Sequence, residues 1–121
     1  MNIKRVLGKL GEKIASEFLI KKGYKILETN YYSQFGEIDI IAQKKDLLIF
    51  IEVKTRSKNM TNALSSVSAT KQKKLHKTAQ VYLSKNQKYQ EMFTQFDVIG
   101  IVPSETNLYQ IEHIKDAFRI Y

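Results

Sequence analysis

No cysteine occurs in the 121 residues, so neither a disulfide framework nor a thiolate metal site is open to this chain. Stability has to come from packing. No apolar run approaches a membrane span, and the N-terminal MNIKRVLGKLGEKIASEF meets a charge every few residues, unlike the continuous apolar stretch of a signal peptide. The chain therefore reads as soluble and cytoplasmic, with no membrane partner. Internal repeats, low-complexity tracts and Pro/Gly-rich linkers are missing too, with one proline and five glycines in all. At this length and 43% apolar residues, a single domain over residues 1–121 with one modest core is expected. What the middle of the chain lacks is acid. From Glu52 to Lys88 there are nine Lys or Arg against one acidic residue, while the rest of the chain holds eleven of each sign, so the whole net charge of +8 lies in that third. A block of this kind is either a solvated face or an electrostatic footprint for a polyanion.

What is present has a clear period. Ile3, Val6, Leu7, Leu10, Ile14 and Phe18 recur at helical spacing, predicting a helix over residues 4–22 closed by Gly23. Gly8, Gly11 and Ala15 form a small-residue stripe beside that face, suited to close approach to a sheet. Residues 24–32 read as a first strand, Gly36 opens a second, Lys44 to Asp46 supply a turn, and residues 47–55 form a third. A polar segment at 57–68 precedes a second helix over about 69–86, with Leu75, Ala79, Tyr82 and Leu83 as its buried stripe. Residues 96–102, stopped by Pro103, and 108–114 complete the order αβββαββ. That order predicts an α/β (α+β) domain: a mixed sheet of about five strands flanked by helices.

The hairpin FGEIDIIAQKKDLLIFIEVKTR, residues 35–56, carries unusual charge for its apolar setting. Side chains alternate along a strand, so the hydrophobic pattern selects a register in which paired numbers sum to 91. Ile40 then lies beside Ile51, Ile38 beside Val53, Asp39 beside Glu52, and Glu37 opposite Lys54. Adjacent carboxylates repel and are costly to bury unpaired, so folding alone gives no reason to join them. A hard divalent cation such as Mg²⁺ or Mn²⁺ does, with Asp39, Glu52 and the Val53 carbonyl as ligands. Lys54, on the same face, is placed to assist an attacking water and offset charge on phosphorus. The competing reading is a surface ladder in which Glu37 pairs with Lys54 and Glu52 with Arg56 or solvent.

The constellation of an acid on one strand followed by Glu-x-Lys on the next resembles the PD-(D/E)XK nuclease superfamily, with its restriction-endonuclease-like fold. More narrowly, the chain resembles the YraN-like family of small bacterial predicted endonucleases. The likeness rests on GKLGEKIA (8–15), GYKIL (23–27), Asn30, GEIDIIA (36–42), FIEVKTR (50–56), FDVI (96–99), HI (113–114) and AF (117–118). By the resemblance, Asp39, Glu52 and Lys54 are catalytic, and Glu12 takes the part of the helix acid of archaeal Holliday junction resolvases beside the metal. Glu17 competes for that part, and Glu37 is an accessory acid. Similar proteins tend to carry Arg where Tyr32 stands, so a phosphate contact is either missing or replaced by stacking.

Lys71 and Lys74 share one face of the second helix, with Lys73 and Lys77 on the next. By the resemblance, Lys71 and Gln72 are candidates to reach the scissile phosphate; Arg56 and Lys74 complete the nucleic-acid-binding set. His76 lacks a second His or Cys partner and reads as a helix surface residue, Asp97 as a capping or strand-pairing acid, and the tyrosines as core. Two functions from different classes follow. One is a Mg²⁺- or Mn²⁺-dependent endonuclease acting on nucleic acid, DNA by the resemblance, branched or linear. The other is a nucleic-acid-binding module that keeps the fold without turnover. A protein-interaction domain with a basic helix is a third, and a homodimer is left open.

Overall fold

The structure, a computed structural model, describes residues 3–55, 67–104 and 108–119. Helix α1 (Ile3–Lys21) leads into β1 (Lys25–Ser33), β2 (Gly36–Lys44) and β3 (Leu47–Thr55). Helix α2 (Ala69–Lys85), a 3-10 turn at Gln87–Tyr89, β4 (Phe93–Pro103) and β5 (Tyr109–Phe118) follow. The five strands form one mixed sheet in sequence order, antiparallel except where β4 runs parallel to β3 after the α2 crossover. The element order is the αβββαββ read from the sequence.

Both helices end or begin where their sequences provide for it. Gly23, at φ +93, turns the chain out of α1, with Gly23 N–H donating to the Ile20 carbonyl and Tyr24 N–H to that of Leu19. Ser68 caps α2, its hydroxyl accepting from Lys71 N–H at 3.2 Å. The alternation of the strands sorts the core into two layers. Ala15 and Leu19 of α1 pack with Ile40, Ala42, Ile49, Ile51 and Ile99 on one face. Leu75, Ala79 and Tyr82 of α2 pack with Ile38, Leu48, Phe50 and Val98 on the other. Of the small-residue stripe, Gly11 makes the close approach, since a Cβ there would collide with Thr55 Oγ1. Gly8 faces open space.

The sequence reading is too short at the C-terminal hairpin. β4 starts at Phe93, three residues before the predicted strand, and β5 runs on to Phe118, four residues beyond it. The register slips between Phe96 and Val98, and Asp116 turns through φ +50, so apolar alternation fails there while pairing continues. The buried Asp97 carboxylate makes this tolerable. It accepts Asp116 N–H at 2.9 Å, Gln95 Nε2 at 2.9 Å and His113 Nε2 at 2.8 Å.

Candidate active site

The hairpin pairs as the sum of 91 requires from Lys44↔Leu47 to Ile40↔Ile51, and the paired register stops there. Ile38/Val53, Asp39/Glu52 and Glu37/Lys54 are not paired, which corrects the ladder extrapolated from the sequence. The physical reason is that Asp39 Oδ2 itself accepts Val53 N–H at 2.8 Å, so a side chain replaces strand pairing at the next step. β3 continues instead against β4, out to Thr55↔Ile101. A fork between β2 and β3 opens at this point, and both helices reach into it. The resulting cleft, about 390 Å³, is lined by Leu7, Gly8 and Glu12 of α1, Asp39 of β2, and Glu52, Val53, Lys54 and Thr55 of β3.

Two acids at its floor are nearly out of solvent, Asp39 at 9% and Glu52 at 5% exposure. Burial first, then the Glu52 charge, push the Asp39 carboxyl up to about 9, against the opposing Val53 N–H bond. Glu52 Oε1 receives Lys71 Nζ at 3.1 Å and Lys54 Nζ at 3.8 Å. Glu52 Oε2 is buried and has no hydrogen-bond partner among the described residues. Asp39 can donate to Glu52 only in its protonated form, so two ionised carboxylates leave that oxygen orphaned.

Glu12 and Glu37 enter from the side. Asn30, held at φ +51 on β1, donates Nδ2 to Glu12 Oε1 and to Glu37 Oε1, each at 2.8 Å. Carboxylate oxygens of Glu12, Glu37 and Asp39 consequently lie within 4.8 Å of one another. This is where Glu37 goes instead of facing Lys54. Asn30 is the residue that reading from the sequence undervalued; Asn tolerates the left-handed region, and that is the one local signal it carried.

The two lysines form a linked pair. Burial, then contact with Lys71, hold the Lys54 amine below its ordinary value. Burial acts on Lys71 in the same sense but is outweighed by Lys54 and the Glu52 charge, leaving Lys71 raised. Lys71 therefore turns into the acidic floor of the cleft. Lys74 and Lys77 stay exposed, Lys74 beside Gly36 and Lys77 with Nζ 5.4 Å from the Phe35 ring centroid. Gln72 donates Nε2 to the Val67 carbonyl at 3.0 Å, at the start of α2. Arg56 lies outside the described residues.

Of the remaining candidates, Glu17 is exposed on α1 and is not part of the cleft lining. His76 packs near Phe96 at 6.3 Å between ring centroids, and Tyr31, Tyr82 and Tyr89 form an aromatic group in the α2 layer. Tyr32 is 70% exposed and lines a side pocket with Lys9, Glu12, Asn30 and Glu37.

Among known proteins, residues 11–101 match the family model described as uncharacterised protein family UPF0102. A UPF0102 protein of Caldanaerobacter subterraneus subsp. tengcongensis is 42% identical over 118 residues, covering 95% of this chain and 96% of the relative. One of Caldicellulosiruptor bescii is 42% identical over 121 residues, covering 98% and 100%. A third, of Clostridium botulinum strain Loch Maree, is 40% identical over 116 residues and 94% of each chain.

Proposed function

We propose that this chain, which belongs to the UPF0102 family, is a divalent-metal-dependent nuclease of PD-(D/E)XK type that hydrolyses phosphodiester bonds in nucleic acid. The observation that carries the reading is the buried Glu52 Oε2, without a hydrogen-bond partner among the described residues, beside a second buried carboxylate in a cleft open to solvent. Lys71 and Lys54 compensate Glu52 at Oε1 alone, so the desolvation of Oε2 and of the neighbouring Asp39 carboxyl is left over, and a cation between them removes it. The oxygen-only donor set fits Mg²⁺ or Mn²⁺.

Asp39 and Glu52 would hold the cation, with Glu12 beside them and the Val53 backbone at the same wall. When bound, such an ion supplies Lewis-acid polarisation of a phosphoryl oxygen and a lowered pKa for water. The chain's own residues do the rest. Lys54, its amine held low by burial and by Lys71, accepts a proton from the attacking water and then returns charge to the phosphoryl oxygens. Lys71 keeps its proton and balances Glu52 until substrate arrives. Lys74 and Lys77, exposed at the mouth of the basic helix, meet backbone phosphates.

The test is cleavage of labelled linear, flapped and four-way DNA, with matched RNA, in Mg²⁺ or Mn²⁺. Wild type cuts at least one substrate, and Glu52→Gln removes both cutting and Mn²⁺ binding while leaving the fold in place. Absence of cleavage with every metal ends the catalytic reading. Salt-dependent binding that survives in that case makes the chain a nucleic-acid-binding module.

A further inference from the structure

A second concave site lies at the other end of α1. It is about 230 Å³ in volume and is lined by Phe18, Lys22, Tyr24, Lys44, His113 and Lys115, with no acidic residue among them. Two of the three ammonium groups are held in place by rings. Lys44 Nζ stands 4.8 Å from the Tyr24 ring centroid and Lys22 Nζ 5.7 Å from that of Phe18. His113 forms part of the wall with its side chain only 9% exposed. Its Nε2 donates to the buried Asp97 carboxylate, and Phe18 meets the ring edge-on at 5.8 Å between centroids. Asp97 Oδ1 takes the Asp116 N–H at the β4–β5 bulge. The second carboxylate oxygen is used to fix an imidazole at a basic pocket. The carbonyls of Phe18, Leu19 and Ile20 at the end of α1 are taken by the Lys22, Tyr24 and Gly23 N–H groups, and the negative end of the helix dipole there is offset by Lys22, Lys44 and Lys115.

We propose that this pocket binds a phosphate group of the nucleic acid whose cleavage is assigned to the Asp39–Glu52 cleft, at a distance along the strand from the reacting phosphate. The inference rests on that functional reading for its ligand, and on the pocket for its place. The spacing comes from β2, which carries Asp39 at one site and Lys44 at the other. Five residues at about 3.3 Å separate them by about 17 Å. Three lysines and the Tyr24 hydroxyl are the groups that recognise the phosphate oxygens.

The experiment compares the full chain with Lys44→Ala/Lys115→Ala in binding a 16-base-pair DNA duplex without divalent ion, across a salt series. A parallel titration uses inorganic phosphate and a mononucleotide, followed by the His113 ring signals in NMR. Loss of the one phosphate contact lowers the slope of log affinity against log salt by about 0.9, which at fourfold change in salt is roughly a 3.5-fold smaller loss of binding. That result, with an unchanged melting temperature, supports the site. An unchanged slope in this variant while Lys74→Ala/Lys77→Ala lowers it overturns the inference and leaves the cleft's function intact. His113 signals that respond to phosphate or mononucleotide, with duplex binding unaffected by the variant, overturn it in favour of a small phosphorylated ligand. Unchanged slopes in both variants remove the nucleic-acid reading of both sites together.

Discussion

Replacing Asp39 by Asn should stabilise the metal-free protein, and the gain should grow with pH. The Asp39 carboxyl is pushed from 3.8 up to about 9, by burial first and the Glu52 charge second. A raised pKa means that the native state holds a proton which the unfolded chain releases. Its contribution to stability is therefore complete below about pH 3.8 and is lost as pH rises toward 9. At pH 7 the loss is at most about 4 kcal/mol, taking about 1.4 kcal/mol per pH unit across the interval. Asn is neutral in both states, keeps an oxygen for Val53 N–H, and offers an amide donor to Glu52 in place of a like charge. A gain of about 1–4 kcal/mol at neutral pH follows, or several degrees in melting temperature for a chain of this size. The assay is thermal unfolding in chelator from pH 4 to 9. The two proteins should melt together near pH 4 and separate steadily above it. Adding Mn²⁺ should then raise the wild-type melting point and leave that of Asp39→Asn where it was. A gap that is constant with pH, or of opposite sign at pH 8, would refute the like-charge account of the cleft.

Lys54→Ala should lower turnover by roughly 10² or more while changing affinity for nucleic acid little, because the contact is made in the transition state; equal losses in both would place Lys54 in ground-state binding. Lys74→Ala/Lys77→Ala should reduce the salt slope of binding by roughly 1.4 to 1.8, read by fluorescence titration, and no change would make the basic helix a solvated face. Asn30→Gly preserves a left-handed backbone and removes the amide shared by Glu12 and Glu37. It should weaken Mn²⁺ binding by about 10- to 100-fold at an unchanged melting temperature, and the loss should not add to that of Glu37→Gln; additive losses would detach Asn30 from the carboxylates.

Those residues divide by how much of their environment is local. The two helices and the central strands were legible because hydrophobic period and caps act over a few residues, as at Gly23 and Ser68. The sum-of-91 register was legible from Ile40↔Ile51 to the turn, where apolar residues of β2 such as Ile40, Ile41 and Ala42 face Ile51, Phe50 and Ile49. It failed at Asp39 because a carboxylate is short enough to take a neighbouring strand's N–H, and alternation cannot signal a side chain replacing a backbone group. The ends of β4 and β5 failed for a related reason. Asp97 holds a bulge through hydrogen bonds that include two from the distant Asp116 and His113, and a polar residue that completes a strand looks like one that ends it.

The same limit governs the charges of the cleft. Sequence separates Asn30, Glu37 and Glu12 by strands and a helix, so their meeting is a tertiary fact, and Glu37 was assigned to the nearest opposite charge along the hairpin, Lys54. The fork decides otherwise. Once Asp39 bonds to Val53, Lys54 and Lys71 gather at Glu52 while Glu12 and Glu37 gather at Asn30. Asp39 is left with a backbone donor and, among the described residues, no cation paired to it. A divalent ion between the two groups would meet acid on both sides and would relieve a penalty on Asp39 that burial sets first and the Glu52 charge second.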